Sequence, residues 1–307
     1  MLDEYFVDLL ILMGLLRFSD VENLRASCST FLEKVFPVRD AVIAVSCPET
    51  PETNIMFRVL RLVATFECKI LLNMEQCHDM IDQNNILRVL RYIDQLRGKL
   101  VALGLAGCRL CVEPGVIAET AGVIASSTAL KWLSINDSMV VPASDAMLHV
   151  LGDALRRCVT LTHLDMGFCN LSGRKVNICL GWGVSNVQLL DLSYNSITPS
   201  GMKRVVKCLI IMQGVQELNL EGNRIGPMGV RTMLAALPQL RALRVLNLRE
   251  CIHVSTVQRW RPTMDPLLEE ALERGCVVTL WWPSDGVVPN EAWRGNTFDR
   301  GHHPLDR

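Results

Sequence analysis

Three places in the sequence bring together side chains that could do chemistry. Cys108-Arg-Leu-Cys111 is a CxxC pair, Cys77 is followed by His78, and His302-His303 sit near the C-terminal end. Structural zinc takes four N or S ligands, so a CxxC needs a second pair or histidines at metal spacing, and neither accompanies Cys108. Redox use needs the first thiol at a helix N-terminus, which stabilises the thiolate. Cys77-His78 lacks a third partner, and His302-His303 lack a neighbouring ligand. No Gly-rich loop leads into Lys-Ser/Thr, so no phosphate cradle is signalled. The sequence therefore points to no catalytic residue, no metal and no cofactor, and the expectation is not an enzyme. What remains is recognition chemistry: acids interleaved with aromatics, which the rest of the chain must bring to one face.

The elements that position them repeat. The phrase Leu190-Asp-Leu-Ser-Tyr-Asn-Ser-Ile197 returns 28 residues later as Leu218-Asn-Leu-Glu-Gly-Asn-Arg-Ile225, with a helical run between. Such a unit cannot bury its apolar face alone and must stack on copies of itself. With the template Leu-x-Leu-x-x-Asn/Cys-x-Leu, first apolar positions fall at Ile43, Leu72, Leu103, Leu133, Leu164, Leu190, Leu218, Leu246 and Val278. The third position is apolar every time, as a strand with one buried face requires. The sixth positions from Leu72 to Leu246 are Cys77, Cys108, Ser138, Cys169, Asn195, Asn223 and Cys251. These can hydrogen-bond inside the turn where the chain leaves the strand, and backbone groups there would otherwise be buried unpaired.

Helices are expected over 79–96, 115–127, 143–157, 199–212, 227–237 and 266–274. The last is marked by Asp265 as N-cap, Pro266 at its first position and Gly275 past its end. The 26-residue interval from Leu164 to Leu190 holds Gly181-Trp-Gly183 and leaves room only for a shortened or irregular helix.

This ladder resembles the leucine-rich-repeat family over about residues 40 to 283. The Asn repeats look like the ribonuclease-inhibitor subtype and the Cys repeats like the subtype common in F-box proteins. The resemblance implies an α/β right-handed horseshoe, with a parallel concave sheet and convex helices, whose inner wall binds a protein. The second, fourth and fifth template positions are expected to face solvent on that wall. Its partner-binding candidates are Glu75, Asp137, Asp165, Phe168, Asp191, Tyr194, Glu221, Arg249, Glu250 and Trp281. Six acids against one arginine suit a basic protein or peptide, with aromatics as anchors. The competing reading is a solvated polar face, with Trp281 and Trp282 packed under the tail.

Ahead of the repeats, residues 1–37 read as a helical module. Leucines recur at helical spacing from Leu9, Ser19-Asp-Val-Glu22 forms a capping box, and Pro37 closes the segment. Leu16, Asp20, Val21, Leu24, Arg25, Cys28 and Phe31 stand at the spacing of the second half of an F-box, which they resemble. The Leu-Pro pair that opens that motif is absent, and Ser29 replaces a usual basic residue. The resemblance implies a substrate receptor of a cullin–RING (Skp–cullin–F-box) ubiquitin ligase. Leu16, Val21, Leu24, Cys28 and Phe31 would then contact the Skp adaptor. The alternatives are a structural scaffold in a cytoskeletal or ciliary assembly, with residues 1–37 as a solenoid cap, and a small-GTPase regulator. No acidic tail run of the kind that last family shows is present.

Composition sets the remaining bounds. Of 307 residues half are hydrophobic and 21% charged, a globular balance, with a net charge of −1 that draws the whole chain neither to nucleic acid nor to acidic lipid. The longest apolar run, Leu9 to Leu16, is too short to span a bilayer, and Asp3, Glu4 and Asp8 precede it where a secretory signal would be basic. Twelve scattered cysteines suit a reducing compartment, cytoplasmic or nuclear. Residues 284–307, with Gly286, Pro289, Gly295, Gly301 and Pro304, read as a loosely ordered tail.

Overall fold

The computed structural model describes residues 42–46, 60, 64, 69–74 and 83–280, except 109, 111–113, 139–142, 182 and 185. The module at 1–37 and the tail at 284–307 lie outside them, as do Cys77-His78, Cys111 and His302-His303.

Strands and helices alternate: β1 Val42–Ser46, β2 Lys69–Asn73, α1 Gln83–Asp94, β3 Leu100–Gly104, α2 Pro114–Ser126, β4 Trp132–Ser134, α3 Asp145–Arg157 and β5 His163–Asp165. Then come α4 Gly173–Leu180, β6 Leu189–Asp191, α5 Pro199–Met212, β7 Glu217–Asn219, α6 Gly226–Leu234, β8 Val245–Asn247, α7 Val254–Glu273 and β9 Val277–Thr279. All nine strands form one parallel sheet in sequence order. This is an α/β solenoid of horseshoe type.

Register follows the apolar ladder. Leu103, Leu133, Leu164, Leu190, Leu218, Leu246 and Val278 pair in one row. The first repeat departs: Val45, not Ile43, sits opposite Leu72. Alternation has a period of two, so Ile43 and Val45 fit equally well, and Pro48 offers no turn donor to choose between them.

The core is a continuous stripe. Leu103, Leu105, Leu133, Ile135, Leu164, Met166, Leu218, Leu220 and Leu246 are at most 1% exposed. Each buried aliphatic chain contributes about 1.5–3 kcal/mol. The helices close the other side, α3 through Leu148, Leu151 and Leu155 and α5 through Met202, Val205 and Leu209. Ser144, Ser172 and Thr198 cap α3, α4 and α5, each accepting from a backbone N–H three residues on.

The short repeat holds the eight-residue helix α4. It closes tightly: a Cβ on Gly173 would lie 2.3 Å from the Gly201 carbonyl oxygen, so α4 and α5 meet backbone to backbone. The helix expected at 266–274 is longer, running Val254–Glu273 with Pro262 and Pro266 inside it. Asp265 and Pro266 therefore do not start it. Both prolines are exposed, while Met264 and Ala271 keep the inner face apolar. Gly275 ends it at φ +73°, a left-handed conformation glycine adopts without a Cβ penalty.

Candidate functional site

The turns that leave the strands are held by the sixth-position residues. Asn195 Oδ1 accepts from Leu171 N–H at 2.8 Å, and its Nδ2 donates to the carbonyls of Met166, Leu192 and Ser193 at 2.9–3.1 Å. Asn223 repeats this with Ile197 N–H and the Leu192 and Leu220 carbonyls. Cys169 and Cys251 donate through sulfur to the third-position carbonyls of the preceding repeats, Ile135 and Leu220, both at 3.1 Å. Cys108 does so to Met74 at 3.6 Å, and Ser138 donates to Ile135 of its own repeat. Cys108 is thus a ladder residue. The seven described cysteines are all buried, and none is joined in a disulfide among the described residues. Burial pushes the Cys208 and Cys276 thiols up to about 11 and that of Cys251 to about 12, which removes the thiolate a nucleophile needs. Among the described residues no group of three His, Cys, Asp or Glu could hold a metal ion.

The concave wall carries a second ladder. At the second template position, Asp165, Asp191, Asn219 and Asn247 each accept, through a side-chain oxygen, from the backbone N–H two residues on, at 2.7–3.1 Å. Amides and hydroxyls then bridge repeats. Ser134 Oγ donates to Asp165 at 2.9 Å, Asn219 Nδ2 to Asp191 at 2.8 Å, and Asn247 Nδ2 to Glu221 at 2.9 Å. Burial, and then the Asp165 carboxylate one strand away, push Asp191 up to about 7, against hydrogen bonds from Ser193 and Asn219 that pull it down. The expectation that second positions face solvent fails for Asn73, Gly104, Ser134, Asn219, Asn247 and Thr279, which are buried. Ser134 and Asn219 are covered by the bonds they make to Asp165 and Asp191 of the same row, and Asn247 by its bond to Glu221.

Fifth positions behave differently. Gly107, Asp137, Phe168, Tyr194, Gly222 and Glu250 all have φ between +49° and +72°. Glycine tolerates this, whereas the L-residues carry roughly 1–2 kcal/mol of strain each. The conformation aims their side chains outward. Phe168 is 38% exposed and Tyr194 37%. Their rings stack, centroids 4.4 Å apart and planes 14° from parallel. The Tyr194 ring also lies over Gly222, where a Cβ would come within 2.4 Å of it. The Tyr194 hydroxyl lies 3.4 Å from Glu221 and 3.3 Å from Glu250 and donates to these carboxylates. Burial and these two charges push its pKa up to about 12.

The structure thus brings Phe168, Tyr194, Glu221 and Glu250 together. Asp165 and Asp191 lie beside them but serve the turn ladder. Asp137 and Glu250 are exposed, and Arg249 is partly buried with its Nε lacking a hydrogen-bond partner among the described residues. Among the described residues Thr279 Oγ1 also lacks one. Glu75 and Trp281 lie outside the described residues, as do Leu16, Val21, Leu24, Cys28 and Phe31.

One row of the wall was missed by the template. Trp132, His163, Leu189, Glu217 and Val245 pair across the strands one residue before the apolar ladder and share its solvent side. Strict alternation would have found them, since residues on either side of an inward leucine point the same way. Trp132 packs with Ala102 and Leu71 in an apolar cluster separate from the main core. Desolvation lowers the His163 pKa, opposed by the charge of Glu217.

A family model described as a leucine-rich repeat matches residues 157–174 and 185–206, so the chain carries leucine-rich repeats. No curated protein matches it. Similar solved structures include the leucine-rich-repeat-containing protein LegL7 from Legionella pneumophila, at 13% identity and TM-score 0.48, covering 79% of this chain and 73% of that one. Another is actin-binding site 2 of leiomodin-1, at 13% identity and TM-score 0.34, covering 61% and 89%. A third is an internalin from Listeria monocytogenes, at 11% identity and TM-score 0.24, covering 70% and 82%. No helix among the described residues is long and apolar enough to cross a membrane.

Proposed function

We propose that the chain is a non-catalytic scaffold whose concave wall docks a basic segment of a protein partner. The observation that carries this is the exposed, stacked Phe168–Tyr194 pair, held in a strained backbone and flanked by Glu221 and Glu250. Strained residues persist where surrounding structure over-determines them, and they cluster at binding sites. An aromatic pair supplies anchor area, and the acids select a cation.

The test is a titration with a labelled arginine-rich peptide of about ten residues. Tyr194→Ala, and separately Asp137→Lys with Glu250→Lys, are each expected to weaken binding about tenfold, or 1.4 kcal/mol. Equal binding by all three proteins refutes the docking face. Asp191 is not a useful probe, because replacing it disturbs the turn ladder.

The finer reading is a Skp–cullin–F-box substrate receptor, supported by Leu16, Val21, Leu24, Cys28 and Phe31 at F-box spacing. Co-purification with the Skp adaptor tests it. Wild type is expected to bind and Leu24→Asp to fail. If wild type fails too, residues 1–37 act as a cap and the scaffold reading stands alone.

A further inference from the structure

The net charge of −1 hides a division between the two sides of the solenoid. Residues 172–249 hold ten Lys and Arg but three acids, Asp191, Glu217 and Glu221. All three acids lie on strands or in the turn that follows one. Helices α4, α5 and α6 contain none. On the outer side, Lys203, Arg204 and Lys207 of α5 and Arg231 of α6 are exposed, and no ion pair engages them among the described residues. The helices earlier in the chain differ. Arg91 of α1 pairs with Glu119 of α2, Arg156 with Asp153 within α3, and Arg174 of α4 with Asp145 of α3.

Leaving four cations unpaired on two packed helices has a cost. Lys203 and Lys207 stand four apart on one face, where like charges repel. Two aliphatic side chains frame the basic patch: Ile211, 55% exposed near the end of α5, and Met228, 52% exposed near the start of α6. The patch is therefore basic along the middle and apolar at two ends, over a helix about 21 Å long.

We infer that the outer face of α5 and α6 docks an acidic protein segment, on the opposite side of the solenoid from the concave wall. Carboxylates of the segment would pair with Lys203, Lys207 and Arg231, and apolar residues toward its ends would cover Ile211 and Met228. Charge complementarity fixes the sign of the partner. The absence of any Phe, Tyr or Trp from α4, α5 and α6 argues against the two other polyanions. Single-stranded nucleic acid is gripped by stacking on aromatic side chains, and a membrane-surface helix is held by a broad apolar face, typically with Trp, Phe or Leu. Two separated aliphatics supply neither.

The experiment uses the full chain and a labelled glutamate-rich peptide of about 14 residues with a leucine near each end, matched to the length of α5. Its glutamine counterpart is the control. Vesicles containing about one-fifth phosphatidylserine and an oligonucleotide of about 20 nucleotides are titrated in parallel, since both are polyanions. The glutamate peptide is expected to bind, to weaken steeply with salt, and to lose about tenfold or more on the change K203E/K207E/R231E. The arginine-rich peptide on the concave wall is expected to bind that variant as before. K203Q/K207Q/R231Q, which adds no acid, is expected to lose a smaller part of the affinity and excludes misfolding as the cause. Unchanged affinity in both variants overturns the inference, as does tighter capture by the vesicles or the oligonucleotide at the same salt.

Discussion

Replacing Asn195 with alanine removes a side chain that ties two repeats together, and the loss can be worked bond by bond. Asn195 is 6% exposed and engages four backbone groups. Two of these keep other partners: the Leu192 carbonyl still accepts from Asn223 at 2.8 Å, and the Ser193 carbonyl from Phe168 N–H at 3.0 Å. The Leu171 N–H and the Met166 carbonyl lose theirs, in residues at most 1% exposed. An orphaned buried group costs about 1–3 kcal/mol, so with two of them Asn195→Ala is expected to destabilise by about 2–6 kcal/mol. Asn195→Cys is the informative comparison. Cys169 and Cys251 show that sulfur reaches the preceding repeat's carbonyl at 3.1 Å. A cysteine at 195 should therefore recover the Met166 contact and leave only Leu171 N–H unpaired, at about half the cost. Asn195→Asp should exceed alanine, because it sets a carboxylate against backbone carbonyls. Urea denaturation with equal slopes reads all three. An unchanged midpoint for alanine, or cysteine as harmful as alanine, would show that this accounting is wrong.

Two further predictions test the concave wall. Gly222→Ala puts a Cβ against the Tyr194 ring at a position with φ +68°, and should lower stability by about 1–3 kcal/mol while altering the near-ultraviolet tyrosine signal. An unchanged signal would mean Tyr194 does not rest on that turn. Asp191, raised to about 7 in the folded state against an unfolded value near 3.9, binds more protons folded than unfolded between those pH values. Its contribution to stability is therefore fully present below about pH 4 and lost as pH rises to about 7, and Asp191→Asn should flatten this part of the pH–stability curve. A wild-type curve with no fall across that window would contradict the burial assigned to this carboxylate.

Much of the fold was legible because its code is periodic. One apolar residue two positions after another, followed by a donor three further on, states strand, buried face and turn together, as Leu190, Leu192 and Asn195 do. The code failed where its markers were missing. Pro48 cannot mark a turn with a donor, and the first strand proved two residues out of the expected phase. At α7 the local signals were present but were overridden. Asp265 and Pro266 read as a helix start, yet Met264 and Ala271 bury on one face while both prolines stay exposed, and the helix runs through them.

The acids show the same division. Their presence in the repeats was plain, but a residue type cannot say whether a carboxylate waits for a partner or already has one. Ordering β5, β6 and β7 side by side brings Asn219 to Asp191 and places Asp165 one strand away. That contact turns two apparent docking charges into parts of the wall and leaves Asp137 and Glu250 outside it. Stacking likewise sets the Phe168 and Tyr194 rings face to face across 26 residues of chain, and parts the bases of α5 and α6 from the acids of the strands. The repeat unit and its buried side were written along the chain, because alternation and turn chemistry are local. Which polar groups remain free to bind was decided only between repeats, because hydrogen bonds and charges act across space and residues distant in sequence satisfy them first.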